Sequence, residues 1–509
     1  MITITGDSLT INEVLKVVRD GEKVLLSEES ISRIKKSRSM VDKLLKESKV
    51  VYGITTGFGK FSDVKISCSQ ALQLQENLIK SHSAGVGKPL PIEVVKAMML
   101  LRINALARGF SGVRLQTLQL LLDMLNNSVV PWVPEQGSVG ASGDLIPLAH
   151  MVLAMLGKGR VYIDGKLMDS KLALRKKGLA PIALESKEGL ALINGTQMMA
   201  ALGTLAVYDS LNIASAADIA LSLSLEALKG ILAAFDDDIY QLRPHPGHYK
   251  VVKNVQNITR GSKLVLYKQP DRVQDAYSLR CAPQVHGASR DAIDHVKEII
   301  QREINSVTDN PLLFPDKGKV ISGGNFHGQP LALGLDYLGM AVSELGNISE
   351  RRVARLLDAS LSNGLNMFLT KHGGLNSGYM IAQYAAASLV AENKVLSNPA
   401  STDSIPTCAN QEDHVSFGSI SARKARQIVE NTELVLAIEL ITACQGIDLR
   451  ADQPLRDLGH GSRIAYSIIR ELIPPLQEDR ILYSEIKKVK DLIHSGELVK
   501  AVRGELDIL

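Results

Sequence analysis

The chain has 509 residues, 45% of them hydrophobic and 22% charged, with a formal net charge of +4. That length exceeds one simple core and predicts two structural regions. The small charge, with no dense Lys/Arg block, excludes a nucleic-acid surface, and no uncharged apolar stretch is long enough to span a bilayer.

Met1 to Thr5 alternates like a short strand, interrupted soon after by Asp7, Glu13 and Arg19, which excludes a secretory leader. Thr10-Ile11-Asn12-Glu13 fits a capping box that opens a helix. The stretch from Ser32 to Lys49 is the most basic, but Asp42 and Glu47 divide it, so a solvated helix face is expected. Apolar residues recur at helical spacing over 91–127, with a break at Gly109 to Gly112. Arg160-Val161-Tyr162-Ile163, Asp164-Gly165 and Lys166-Leu167-Met168 read as a hairpin with an Asp-Gly turn. Long helices are expected over 187–233, 288–306, 330–358, 376–396, 416–446 and 480–503. Arg243-Pro244-His245-Pro246-Gly247-His248 reads as a loop. The fold class is therefore mainly α: a long-helix bundle over 196–509 and a smaller, mostly helical N-terminal region with short strands over 1–195. The segment 376–396 carries few charges and has Ala and Ser on several faces, so it is buried all round or shared between subunits.

Cys68, Cys281, Cys408 and Cys444 are scattered without C-x-x-C spacing, which predicts a reduced cytoplasmic protein with neither disulfides nor a zinc site. His245-x-x-His248 has no adjacent acidic or cysteine ligand, so a structural or solvent-exposed pair is expected there, and no metal.

The densest local signal is Gly137-Ser138-Val139-Gly140-Ala141-Ser142-Gly143-Asp144. Glycine at every third position demands hard bending or close approach of the backbone. Stiff apolar sequence (Pro131-Trp132-Val133-Pro134) precedes it, and a buried helix pattern (Leu145 to Leu153) follows. A nucleophile elbow requires Gly two residues after the serine, where Asp144 stands. The glycines do not follow the dinucleotide fingerprint, and no phosphate-loop lysine is present. What remains is backbone chemistry. The Gly143 amide nitrogen can close on the Ala141 carbonyl carbon, and loss of water from the ring and from Ser142 leaves an electron-poor alkene.

Further blocks surround this one: Tyr52-Gly53-Ile54-Thr55-Thr56-Gly57-Phe58-Gly59, Phe110-Ser111-Gly112-Val113-Arg114, and Gly189-Leu190-Ala191-Leu192-Ile193-Asn194-Gly195-Thr196. Gln274-Asp275-Ala276-Tyr277-Ser278-Leu279-Arg280, Thr308-Asp309-Asn310-Pro311, Ser322-Gly323-Gly324-Asn325-Phe326-His327-Gly328 and Asn410-Gln411-Glu412-Asp413-His414 complete the set. In order and content they resemble the aromatic amino acid ammonia-lyases over most of the chain. That resemblance implies an aspartase/fumarase-like helical architecture and a homotetramer with active sites built from several subunits. It also implies a 4-methylidene-imidazol-5-one (MIO) group formed from Ala141, Ser142 and Gly143, with no external cofactor or metal. By the same resemblance Tyr52 is the catalytic base, Asn194 contacts the MIO carbonyl and substrate, and Arg280 clamps the substrate carboxylate. Tyr277 and Gln274 line the site, Phe326 lies beside the prosthetic group, and Gln411 binds substrate next to Glu412. His327 is expected to be structural. A phenol used as a base near neutral pH is expected to have a lowered pKa. Gln274, Tyr277 and Arg280 recur every third position, which aims them one way if the segment is helical.

Substrate choice rests on two positions. Family members acting on phenylalanine look like Phe-Leu at positions 81 and 82, and those acting on tyrosine like His-Leu. This chain has Ser81-His82, as histidine-type members do. Glu412 stands where phenylalanine-type members carry glutamine, and a carboxylate can accept from an imidazole N–H or pair with an ammonium. The resemblance thus implies L-histidine as substrate. The rivals are another MIO enzyme (a phenylalanine or tyrosine ammonia-lyase, or an aminomutase), a non-catalytic helical scaffold, and a fumarase-like lyase. The last lacks its Gly-Ser-Ser-x-Met-Pro loop here.

Overall fold

The alternation at the N-terminus yields a minimal strand, Ile2–Ile4, paired in parallel with Val24–Leu26. Thr10 closes the expected capping box with Glu13 and opens the helix Ile11–Val18. The computed structural model describes residues 1–47, 51–54, 56–57, 59–61, 68–506 and 508–509. Lys49, Thr55 and Phe58 of the segments named above lie outside them.

The chain is mainly helical, and its strands are confined to four small sheets among the described residues. The Asp-Gly hairpin forms with Ile163 opposite Lys166, and Val130–Pro131 adds a third strand. The apolar spacing over 91–127 becomes two helices, Ile92–Ala107 and Leu115–Asn126, split by the glycines as expected. The basic segment lies on the helix Glu28–Lys46, which buries Ile34, Val41 and Leu44 and turns most of its charges outward. Arg38 is the exception. It is buried and ion-paired to Asp42 and Glu185, both at 2.8–2.9 Å.

Three expectations about helices need correction. The run 187–233 is not one helix: Glu188–Ile193 ends at Asn194, which is extended (φ −89°, ψ 97°), and a second helix spans Gln197–Ala227. The run 480–503 is split into Tyr483–His494 and Glu497–Glu505 at Gly496, whose φ of +77° breaks the helix. The loop at Arg243 to His248 is shorter than expected, because Pro246 occupies the first turn of the helix Pro246–Ile258. His248 is therefore helical and buried, with its ring 4.8 Å from that of His245.

Two compact units divide the chain. The first takes Met1–Leu205, Lys297–Asp336 and Pro399–Arg423, and the second takes Ala206–Val296, Tyr337–Asn398 and Lys424–Leu509. The first unit thus holds the expected N-terminal region, and two later segments return to it. Four of the five boundaries fall inside long helices, because a helix of about 30 residues is longer than one unit's core needs.

In the first unit the helix Ile92–Ala107 is buried on nearly every side, Arg102 included. Arg102 donates to Gln197 Oε1 at 3.0 Å, to the Thr308 carbonyl at 3.4 Å and to the Ala191 carbonyl, so its charge is not stranded. In the second unit Arg352 pairs with Glu439 (2.5 Å), and neutral His286 bridges Arg352 to Asp218. The helix Met380–Leu396 leaves Ile381, Tyr384 and Val395 more than half exposed, so it is not buried all round within one chain.

Candidate active site

The glycine run bends where the sequence requires it. Gly137, Gly140 and Gly143 have φ of +127°, +68° and +68°. At Gly143 a side chain is also sterically forbidden, because a Cβ would stand 2.2 Å from the Gly195 carbonyl oxygen. Asp144 N–H donates to that same oxygen at 2.6 Å. The break after Ile193 therefore has a use: it frees the Gly195 carbonyl, which a continuous helix would have consumed.

Asp144 is fully buried at the start of the helix Leu145–Met155. Its carboxyl accepts from Met199 N–H at 2.9 Å and from Ser138 Oγ at 3.1 Å, and burial pushes its pKa up to about 7. On the other side of the run, Ser419 Oγ donates to the Ser138 carbonyl at 2.6 Å. Phe417 N–H donates to Val139 at 3.0 Å, and Ser416 Oγ to Gly140 at 2.9 Å. Ala141 packs with Val415 and Phe417 in a small apolar cluster.

A cavity of about 720 Å³ opens over this loop. Ala141, Ser142, Tyr52, His82, Asn194, Phe326, Gln411 and Glu412 all line it, so eight of the residues singled out in the sequence meet in one place. Ser142 Oγ donates to Glu412 Oε1 at 3.1 Å, and Thr407 Oγ1 donates to Glu412 Oε2 at 2.7 Å. Each oxygen of the carboxylate thus has a fixed role, and Thr407 sets the rotation. Asn194 is 3% exposed and donates to the Asn310 carbonyl at 3.3 Å, while its Oδ1 is a buried acceptor without a partner among the described residues. A buried acceptor left unpaired is costly, and the residue that carries it lines the cavity.

His82 Nδ1 contacts Ser81 Oγ at 3.0 Å, and burial lowers its pKa, keeping the ring neutral at pH 7. The Tyr52 hydroxyl accepts from Gly59 N–H at 3.3 Å. Against expectation, its pKa is raised: burial outweighs that donor, and Cys408 and Glu412 add negative charge nearby. His327 also lines the cavity. Its Nδ1 accepts from Gln329 N–H at 3.3 Å, and its ring lies parallel to that of His414 with centroids 5.8 Å apart.

Gln274, Tyr277 and Arg280 belong to the second unit, and none of them lines this cavity. Their expected common helix is only the turn Tyr277–Arg280, with Gln274 upstream of it. Within that turn the Arg280 guanidinium stacks on the Tyr277 ring at 4.5 Å, and its Nε donates to the Asp275 carbonyl at 3.0 Å. Tyr277 is 70% exposed.

A model of the aromatic amino acid lyase family matches residues 9–471. The chain belongs to that family. The histidine ammonia-lyase of Caldanaerobacter subterraneus subsp. tengcongensis is 56% identical over 504 residues, covering 99% of this chain and 98% of its own. The crystal structure of histidine ammonia-lyase from Trypanosoma cruzi is similar with a TM-score of 0.92 at 46% identity, covering 99% and 95%. Tyrosine aminomutase from Streptomyces globisporus is similar with a TM-score of 0.95 at 37% identity, covering 100% and 99%. Proteins named for different reactions therefore share this backbone, and the side chains of the cavity must make the distinction.

The sequence alone did not single out Thr407, and it gave no role to Asn310 within the block Thr308-Asp309-Asn310-Pro311. Thr407 reaches Glu412 only because Cys408, Ala409 and Asn410 take successive φ values of +50°, +52° and +63° and fold the segment back. Asp144 was visible in the glycine run, and a lone acid opening an apolar helix was the available signal.

Proposed function

We propose that the protein is a histidine ammonia-lyase, a carbon–nitrogen lyase that converts L-histidine to trans-urocanate and ammonia without oxidation, the first step of histidine degradation. The observation that carries this reading is the polar end of the cavity, where the Glu412 carboxylate sits 3.1 Å from Ser142 Oγ and shares the lining with neutral His82. An imidazole has ring nitrogens to pair with such groups and a phenyl ring has none. Polar groups left unpaired are what make such a pocket reject an apolar analogue. The names of the 56% identical relative and of the Trypanosoma cruzi structure support the same substrate.

The residues around the Ala141-Ser142-Gly143 triplet fit an MIO group formed autocatalytically from it. Gly143 has no room for a side chain, and Asn194 lines the same cavity with a side-chain amide that can donate to the group's carbonyl. When formed, that group supplies an electron-poor alkene that makes the amine a workable leaving group. Tyr52 removes the β-proton of the substrate. Glu412 accepts a hydrogen bond from the imidazole N–H or pairs with the departing ammonium, and His82 and Gln411 hold the ring. Phe326 closes the apolar side. Arg280 grips the substrate carboxylate through its planar fork, with Tyr277 and Gln274 beside it. These three belong to the second unit, and we assign them to a homotetramer with shared active sites. The scattered cysteines fit a cytoplasmic enzyme.

Purified protein should produce urocanate from L-histidine, read by its conjugated absorbance, and be poor with phenylalanine and tyrosine. Cinnamate or coumarate formed as fast as urocanate would overturn the histidine reading. A β-amino acid product would move the chain to the aminomutases.

A further inference from the structure

We infer that the segment Ser416–Ser419 is a maturation clamp: it holds the Gly137–Asp144 loop in the bent form from which the ring closes. The inference rests on the MIO reading and assigns a task to residues about 275 positions downstream of the triplet.

Ring closure must bring the Gly143 nitrogen onto the Ala141 carbonyl carbon. The new bond is N–C. The Ala141 oxygen leaves as water with the hydrogens of the Gly143 and Ser142 amides, and a C=N bond to the Ser142 nitrogen remains. A second water leaves with the Ser142 Cα hydrogen and the Ser142 hydroxyl, and no oxidant is consumed. An amide nitrogen is a poor nucleophile and an amide carbonyl a poor electrophile. The step is fast only if the two atoms are held together and cannot relax apart.

Two sets of contacts do this from opposite ends of the triplet. On its C-terminal side, Gly143 lies against Gly195, and Asp144 N–H is bonded to the Gly195 carbonyl. On its N-terminal side, three successive carbonyls, Ser138, Val139 and Gly140, each accept one hydrogen bond from Ser419 Oγ, Phe417 N–H and Ser416 Oγ. The approach leaves no slack, because a Cβ on Gly140 would stand 2.3 Å from Ser416 Oγ. The clamp is itself braced. Ser416 Oγ accepts from Gly418 N–H at 3.2 Å, both serines are buried, and Phe417 is held at φ +49°, unusual for a bulky residue. Ser416 and Ser419 are positioning residues for maturation. Neither touches Ser142, and neither lines the cavity.

The test is intact mass of full-length chains. Parent protein should weigh less than its sequence by two waters. Ser416→Ala and Ser419→Ala should give mixtures of processed and unprocessed chain. The double variant should be mostly unprocessed while retaining parental helix content by circular dichroism. Ser170→Ala is the control: it removes a buried hydroxyl-to-carbonyl bond of similar geometry, 2.7 Å to Ala154, in the same unit and away from the loop. It should process fully. Complete processing of the double variant, at the parental rate after expression, would overturn the clamp. Equal loss of processing in Ser170→Ala would overturn it too, by reducing the effect to general destabilisation. A parent chain at full sequence mass would instead bring down the MIO reading on which the clamp rests.

Discussion

Tyr52 has to lose its proton before it can take one from the substrate, and its surroundings oppose this. Burial raises the phenol above its ordinary value of 10.0, and the donor Gly59 N–H offsets only part of that. His82 is moved by the same cause in the other direction, below 6.5, because burial penalises whichever form is charged. A phenol with a raised pKa gains phenolate steadily as pH rises, while a histidine with a lowered pKa is already neutral at pH 7. The turnover of saturating histidine should therefore climb from neutral into alkaline pH without a break from His82. Tyr52→Phe should cut it by roughly 10²–10⁴-fold and flatten the slope. A parent rate independent of pH, or a phenylalanine variant with the parental profile, would remove Tyr52 from the role of base. At this scale the sequence was informative about which residues meet in the cavity and uninformative about their charge state. Tyr52, His82 and Glu412 stand out in motifs, but the direction of the tyrosine shift depends on what packs around it.

Among the elements, the break at Asn194 matters most. Apolar periodicity continues through it, so spacing alone predicts one helix over 187–233. The chain departs because Gly195 must lie flat against Gly143, and a helical Gly195 would keep its carbonyl inside the helix. The helix that follows, Gln197–Ala227, carries a buried acid near its end. Glu226 accepts from Gly459 N–H at 2.7 Å, and burial pushes its pKa up to about 7 from 4.5. A carboxyl raised in the folded state favours folding while protonated. Its contribution is present in acid and is lost as pH rises through about 7, at a cost on the order of 3 kcal/mol once fully ionised. Glu226→Gln keeps the acceptor for Gly459 and cannot ionise. Its melting temperature should match the parent near about pH 4 and exceed it near about pH 8. The same difference at both pH values would show that Glu226 does not titrate in this range.

For the whole molecule, the division of the expected site residues between the two units matters most. The cavity is lined by the first unit, and Gln274, Tyr277 and Arg280 belong to the second. Tyr277, Ile381, Tyr384 and Val395 of that unit are more than half exposed. If sites are shared, two dead chains can repair each other. Ser142→Ala lacks the ring and Arg280→Ala lacks the clamp, so each should be inactive alone. Unfolding and refolding them together should give hybrids in which some cavities receive an intact triplet and an intact arginine. Activity in the mixture and in neither parent variant is the expected result. No activity in mixed assemblies that do form would mean that one chain supplies its own Arg280.

The sequence by itself determined the family and the helical class. Glycine at every third position around Ala-Ser-Gly leaves few uses for such a backbone, and long apolar repeats with few aromatics can only pack as helices. Those signals are local: each lies within one turn or one helix. Only the tertiary structure decided which distant groups fix the loop. Gly195 lies about 50 residues away and Ser416 and Ser419 about 275, and the Thr407 hydroxyl finds Glu412 through three left-handed residues in a row. Hydrogen bonds between remote segments leave no periodicity in a sequence. A serine that donates to a carbonyl across the fold is spelled the same way as one that faces water.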